Sequence, residues 1–283
     1  MDIVRATGVE VHAVIKANAY GLGAKAVAEA IGDVVDGFCL FGLAEARELN
    51  LWELTGKPTL CLGPPGDAGD EDFLSFHARP AVSTIDEARR LRRAKPALCV
   101  DTGMQRFACP PENVAAALDA GQCTEAFTHA TKPDHVTRLI KIVGGRSCGL
   151  KLHAAASNLL NHPASRLDAV RPGLALYRGA VRIAAPLVEV HHSRGPTGYG
   201  GFLALHHGVI LVGYSHGLRT GPCLLNGRRT RILEVGMQSA YIETTAEDRV
   251  GDEVVLIGDG LEADEIRRDW DASPQHVLLG LLK

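Results

Sequence analysis

The sequence predicts an α/β protein: a (β/α)8 barrel of the TIM type, followed by a C-terminal, mainly antiparallel β domain. Three observations predict it. Short apolar runs alternate with helical patterns through residues 1–179, the alternation that builds a parallel barrel. From about Ala180 the helical period gives way to strand-like runs separated by turn signals. A chain of 283 residues has the length for both units and their cores. The expected domains are 1–179 and 180–283.

Each element has its own signal. The apolar run Val9–Ile15 reads as strand one, and Lys16 ends it. Small residues, Tyr20 and two glycines then make a tight turn into a helix near Ala24–Ile31. Gly37–Leu43 is strand two, with a charged helix from Ala44, and Pro58–Gly63 is strand three. Arg79–Ser83 is strand four, and Ser83 or Thr84 is the N-cap of the next helix. Ala97–Thr102, Glu125–His129, Gly149–His153 and Asp168–Arg171 complete the eight, with helices from Pro111, Asp134 and Ala154. In the second domain the runs 209–213, 230–235, 239–243 and 253–258 read as strands, and Asn226-Gly227 as a hairpin turn.

Composition removes several classes of function. A net charge of −3 offers nothing to nucleic acid or an anionic membrane. No apolar run is long enough to span a bilayer. No basic segment followed by an apolar run opens the chain, so the expected location is the cytoplasm. The seven scattered cysteines, without a C-x-x-C, read as reduced and mostly buried thiols. Aromatics at 5% point to an aliphatic core.

Polar residues collect at the expected strand ends: Lys16, Asp101, His129, His153 and Arg171, with Arg106 in the loop after strand five. In a barrel these ends share one face. Each has a plainer reading: Lys16 and Arg106 as solvated charges, Asp101 as a turn cap, the histidines as core residues. The loops after strands seven and eight, at Ser157 and at Arg171-Pro-Gly-Leu174, have the hydroxyl and the small residue that a phosphate site uses. A lysine amine beside a phosphate site suggests pyridoxal phosphate. The adjacent pairs His191-His192 and His206-His207 lack helical i,i+4 spacing and cysteine partners, so no metal is expected. Gly198, Gly200 and Gly201 have no βαβ unit around them and do not form a dinucleotide fingerprint.

Segments spread in order along the chain carry a family resemblance. Val14-Ile-Lys-Ala-Asn-Ala-Tyr-Gly-Leu-Gly23 closely resembles the cofactor-lysine motif of alanine racemases, the fold-type III pyridoxal phosphate enzymes. Val100-Asp-Thr-Gly-Met-Gln-Arg106, Phe127-Thr-His129, His153-Ala-Ala-Ala-Ser157 and Val170-Arg-Pro-Gly-Leu-Ala-Leu-Tyr177 resemble later segments of that family. So do Gly198-Tyr-Gly200, with Gly213-Tyr-Ser-His-Gly217, and Gly236-Met237.

The resemblance implies interconversion of L- and D-alanine, a peptidoglycan precursor, by two bases on opposite faces of the substrate. Lys16 would attach the pyridoxal phosphate and act as one base, and Tyr199 would be the other. His129 would hydrogen-bond that tyrosine, and Arg171 would bond both His129 and the cofactor's ring nitrogen. Tyr20, Ser157, Gly173 and Leu174 would hold the phosphate. Arg106 would meet the substrate carboxylate. Met237 and Tyr214 would come from the second subunit of a homodimer with shared sites. The alternatives are a racemase of another amino acid and a non-catalytic pyridoxal phosphate carrier. Against the family pattern, the chain starts close to its cofactor strand and stops before an Arg-Val-Pro-Arg-like tail that carries a further tyrosine. Cys99 stands for a lysine that positions the arginine, Ala156 for an asparagine that Asn158 is expected to replace in part, and Gln238 and His216 for aspartates.

Overall fold

The structure is a computed structural model that describes residues 8–147 and 149–282. Met1–Thr7, Cys148 and Lys283 lie outside the described residues, and with them the first seven residues of the expected barrel domain. The chain divides into two compact units, one ending at Leu176 and one beginning at Tyr177.

The first unit is a closed parallel barrel with strands in chain order: β1 (Glu10–Val14), β2 (Gly37–Leu40), β3 (Thr59–Cys61), β4 (Ala78–Val82), β5 (Ala97–Cys99), β6 (Glu125–Ala130), β7 (Lys151–Ala155) and β8 (Ala169–Val170). Ala13 pairs with Phe38 and Leu98 with Ala126, and Val11 against Val170 closes the ring. β2, β3 and β5 are buried along their whole length, as two-sided burial in a barrel demands. Val14, Cys39, Leu60, Ala81, Ala97, Cys99 and Phe127 pack as one mostly aliphatic cluster.

Helix starts follow local chemistry. Thr84 caps Ile85–Arg90: its hydroxyl accepts the Glu87 N–H at 3.1 Å, and the Glu87 carboxylate accepts the Thr84 N–H at 3.2 Å. Pro133 opens Pro133–Val143 at a position where a missing N–H costs nothing. One expectation fails here. The helix foreseen from Ala154 is absent: Ala154 and Ala155 belong to β7, Ala155 pairs with Ala130, and a short 3-10 turn follows at Ser157–Leu159. Small residues fit a crowded, doubly buried strand as well as a helix, and here strand pairing decides.

The second unit holds a seven-stranded antiparallel sheet of β9 (Ile183–Pro186), β10 (Glu189–His192), β11 (His206–Ile210), β12 (Gly221–Leu225), β13 (Arg228–Val235), β14 (Ala240–Glu243) and β15 (Glu253–Ile257), in the order β10-β11-β14-β13-β12-β15-β9. Asn226 and Gly227, at φ of 50° and 77°, turn β12 into β13, the positive-φ pair of a tight hairpin. The sequence also conceals two helices here, Ala263–Trp270 and Pro274–Leu281. Ala263, Ile266 and Trp270 form the buried stripe of the first, and the Ser273 cap with Pro274 behind it starts the second. No helix among the described residues is long and apolar enough to cross a membrane. Of the six described cysteines five are buried, and all are free thiols.

Candidate active site

Lys16 follows β1 at the C-terminal rim of the barrel. The Val14 N–H donates to the Pro172 carbonyl at 2.8 Å, and the Ile15 N–H to the Cys39 carbonyl at 3.0 Å. The lysine is thus anchored to both neighbouring strands. The residues after it, Ala17 to Tyr20, all have φ between 53° and 60°. This is a left-handed helical turn, a conformation that costs roughly 1–2 kcal/mol per L-residue. Polar anchors hold it. The Glu45 carboxylate accepts the Ala17 N–H at 2.8 Å and the Phe41 N–H at 2.6 Å, and the Asn18 side chain accepts the Ala24 N–H at 2.8 Å.

Lys16 lines a cavity of about 580 Å³, part of it open to solvent, with Arg106, His129, Arg171, Phe41 and Cys99 on its walls. Four of the expected site residues therefore meet in one pocket. The Lys16 amine lies 5.7 Å over the Phe41 ring. Burial, then the neighbouring Arg106 charge, lower its pKa from the usual lysine range. His129 reaches solvent at the rim, yet burial of its ring and the charges of Arg171, Arg106 and Lys16 push it down to about 4. It is therefore neutral at pH 7.

Arg171 is 3% exposed, so its charge needs compensation within the barrel. Its guanidinium bonds His153 Nδ1, donates to the Thr128 carbonyl at 2.6 Å and to the His153 carbonyl at 3.2 Å, and lies 4.7 Å over the Phe127 ring. His153 Nε2 meets Glu125 Oε1 at 2.6 Å, and Glu125 Oε2 accepts from Arg79 at 2.5 Å. An arginine cannot accept a proton, so His153 Nδ1 is the acceptor and Nε2–H donates to Glu125. Burial, then Arg171, push His153 down to about 3. Burial alone would raise Glu125, but the His153 bond and Arg79 hold it below the usual carboxylate range. The expected bond from Arg171 to His129 is thus replaced by bonds to His153 and Thr128, because β7 and β6 present those atoms inside the barrel. Glu125 escaped the sequence reading. It opens a strand, where a lone acid looks like a solvated end.

The expected phosphate residues also converge. Ser157 Oγ accepts the N–H groups of Gly173 and Ala175, each at 3.0 Å. A Cβ on Gly173 would fall 2.4 Å from the Tyr20 hydroxyl oxygen. Leu174 opens the 3-10 turn Leu174–Tyr177 behind Gly173. Asp101 takes its plainer role, accepting the N–H groups of Gly103 and Gln105 to fold the loop that carries Arg106.

Tyr199, Tyr214 and Met237 lie in the second unit. Tyr199 sits in the loop between β10 and β11 and is 94% exposed. The Glu234 carboxylate holds this loop by accepting the Tyr199 N–H at 2.7 Å and the Gly200 N–H at 2.6 Å. The Tyr214 N–H donates to the Gly236 carbonyl and the Ser215 N–H to the Met237 carbonyl. A Cβ at Gly236 would lie 3.8 Å from the Tyr199 ring. The three residues thus share one neighbourhood around Glu234 and Gly236.

The family description "alanine racemase, N-terminal domain" matches residues 2–181 of this chain. The chain belongs to the alanine racemase family. It is 30% identical to the alanine racemase of Pasteurella multocida, over 91% of this chain and 85% of that protein. It is 28% identical to that of Mannheimia succiniciproducens, over 91% and 85% respectively. The fold is that of the biosynthetic alanine racemase from Pseudomonas aeruginosa, with a TM-score of 0.84 at 22% identity over 99% of this chain and 92% of that one. The Bartonella henselae alanine racemase, solved with covalently bound pyridoxal phosphate, has a TM-score of 0.82 at 21% identity over 100% and 93%.

Against the racemase pattern, this member has its own local solutions. Cys99 is buried, and burial pushes its thiol up to about 12, so it offers Arg106 an apolar wall rather than a charge. Among the described residues the Arg106 guanidinium has no hydrogen-bond partner and lies 5.8 Å over the Phe107 ring. The Asn158 amide donates to the Thr131 carbonyl at 3.0 Å. His216 Nδ1 accepts the Gly213 N–H at 3.1 Å.

Proposed function

We propose that this chain interconverts L- and D-alanine with pyridoxal phosphate, using Lys16 and Tyr199 as the two bases. The observation that carries the proposal is the convergence of Lys16, Arg106, His129 and Arg171 on one cavity at the barrel rim. The first unit fits the cofactor. The missing Cβ at Gly173 admits the Tyr20 hydroxyl, and the Ser157 hydroxyl is held beside it by the Gly173 and Ala175 N–H groups. Tyr20, Ser157, Gly173 and Leu174 would hold the phosphate, and Arg171 would face the ring nitrogen. When bound, the cofactor withdraws electron density from the substrate's α-carbon and so makes its proton removable.

The protein's groups do the rest. Lys16, whose lowered pKa favours the neutral amine, binds covalently and moves a proton on one side of the α-carbon. Tyr199 moves the proton on the other side. Arg171, fixed by His153 and Thr128, keeps its own proton throughout. Arg106 would pair with the substrate carboxylate, and His129 with the Tyr199 hydroxyl. Met237 and Tyr214 of the partner subunit would narrow the entrance, in a homodimer in the cytoplasm. Support for the dimer comes from large apolar side chains left exposed on the second unit, among them Leu203, Leu205 and Leu211 beside Tyr199, Tyr214 and Met237.

The test has two arms. Borohydride reduction of protein loaded with pyridoxal phosphate is expected to leave the cofactor's mass on the peptide containing Lys16, and on none in Lys16→Ala. In heavy water, both enantiomers of alanine are expected to exchange their α-proton and interconvert. Covalent loading without exchange of any amino acid would identify a carrier instead, and exchange confined to another amino acid a racemase of different specificity.

A further inference from the structure

Two histidine pairs face each other across β10 and β11: His191 opposite His207, and His192 opposite His206. Side chains alternate along a strand, so the pairs stand on opposite faces of the hairpin. Their situations differ. His191 bonds the Glu189 carboxylate at 2.9 Å, and His207, buried, bonds the Ser193 hydroxyl at 2.8 Å. His192 is exposed and His206 half-buried, and among the described residues neither ring has a hydrogen-bond partner. Their ring centroids are 4.9 Å apart.

The backbone explains this closeness. The Ser193 N–H donates to the Leu205 carbonyl at 3.0 Å, so His192 and His206 occupy the non-hydrogen-bonded position of the ladder, where facing side chains come closest. A cation bonded at about 2.0–2.1 Å to one nitrogen of each ring fits that separation. A third polar group stands just beyond the end of the next strand. The Thr244 N–H donates to the His206 carbonyl, so the two residues share a face, and the buried Thr244 hydroxyl has no partner. It is available to a water in the ion's remaining coordination positions.

We propose that His192 and His206 bind a divalent transition-metal ion, of the class that prefers imidazole (copper, nickel or zinc) over oxygen ligands. The pair closes the neck of the loop 193–205, which carries Tyr199. An ion there cross-links the two strands at the point where the loop leaves them. The site does not depend on the proposed racemase activity. Helical i,i+4 spacing, the pattern sought in the sequence, is not the geometry that makes it; antiparallel register is.

Calorimetric titration with Ni2+ tests the site. One ion per chain is expected, with affinity reduced about tenfold or more in His192→Phe and in His206→Phe. Phenylalanine keeps an aromatic contact across the strands, and an unchanged melting temperature shows that the hairpin survives. His191→Gln is expected to bind as the unsubstituted protein does, and Mg2+ not to compete. Bound Ni2+ is also expected to slow tryptic cleavage after Arg194 in the unsubstituted protein but not in His206→Phe. Unaltered binding in both phenylalanine variants, or no saturable binding at all, would overturn the proposal and leave the pair as a ring contact that steadies the hairpin.

Discussion

Gly173 and Tyr20 touch: a Cβ on the glycine would lie 2.4 Å from the tyrosine's hydroxyl oxygen. The contact ties the loop after β8 to the left-handed turn after Lys16, across the closing seam of the barrel. Gly173 is not at positive φ, so the absence of a side chain there serves space and not backbone freedom.

Gly173→Ala should therefore leave the fold intact and push Tyr20 out of the cradle. Affinity for pyridoxal phosphate should fall by about tenfold or more, the scale of lost supporting contacts at a bound group. A fluorescence titration with the cofactor measures it. Unchanged affinity would remove this loop from the phosphate site.

The His153–Glu125 pair should make the barrel sensitive to acid. His153 has its folded pKa lowered to about 3, so below pH 6.5 the unfolded chain takes up a proton that the folded one refuses. The share of stability that His153 contributes is complete above about pH 6.5 and falls by about 1.4 kcal/mol per pH unit from there toward pH 3. Glu125, also lowered, adds to the loss once the pH drops below the ordinary carboxylate range. Urea unfolding between pH 7 and 4 should show this slope. His153→Gln should reduce it, leaving the share of His129, which is also held low, even though the variant begins less stable.

Glu125→Gln removes the buried carboxylate from a part-buried charge pair with Arg79 without changing its size. Removing one partner of such a pair typically costs about 3–5 kcal/mol, here through Arg79 and the His153 tautomer together. A melting curve reads the stability. The racemisation pH profile reads the separate effect of loosening Arg171, which a purely structural role would not move.

The Lys16 amine owes part of its low pKa to the Arg106 charge. Only a neutral amine attacks an aldehyde, so Arg106→Gln should move the pH midpoint of covalent pyridoxal phosphate attachment upward. Rates of attachment, trapped by borohydride across pH, would measure the shift. An unmoved midpoint would mean that burial alone sets the lysine's acidity.

Glu234 is the only acidic group bonded to the tip of the Tyr199 loop among the described residues. Glu234→Ala should free that tip. Racemisation should drop by about tenfold or more, since misplacing a reacting group by an ångström costs up to about a hundredfold. Cofactor loading at Lys16 should stay normal. Tryptic cleavage after Arg194 should speed up.

The parts of this protein that depend on neighbours in the chain were legible in the sequence. All eight barrel strands appear where apolar runs meet turn residues, because burial on both faces needs continuous apolar stretches. Thr84 and the Asn226-Gly227 turn act through hydrogen bonds and dihedral angles set within four residues. The strands Ile183–Pro186, Glu189–His192 and Gly221–Leu225 were not legible. They are short, carry proline, glycine or histidine, and exist because partner strands lie beside them. The two C-terminal helices were hidden by a β-rich context, although the Ser273-Pro274 start signal was present.

By itself, then, the sequence determined the order of the barrel strands, the lysine at the first strand's end and the family motif around it. Tertiary structure alone decided that Arg171 pairs with His153 rather than His129, that Glu125 closes that buried chain, and that His192 meets His206. Those contacts join residues 14 to 46 positions apart along the chain. Such distances are bridged by strand register and barrel closure, which no local pattern of residues encodes.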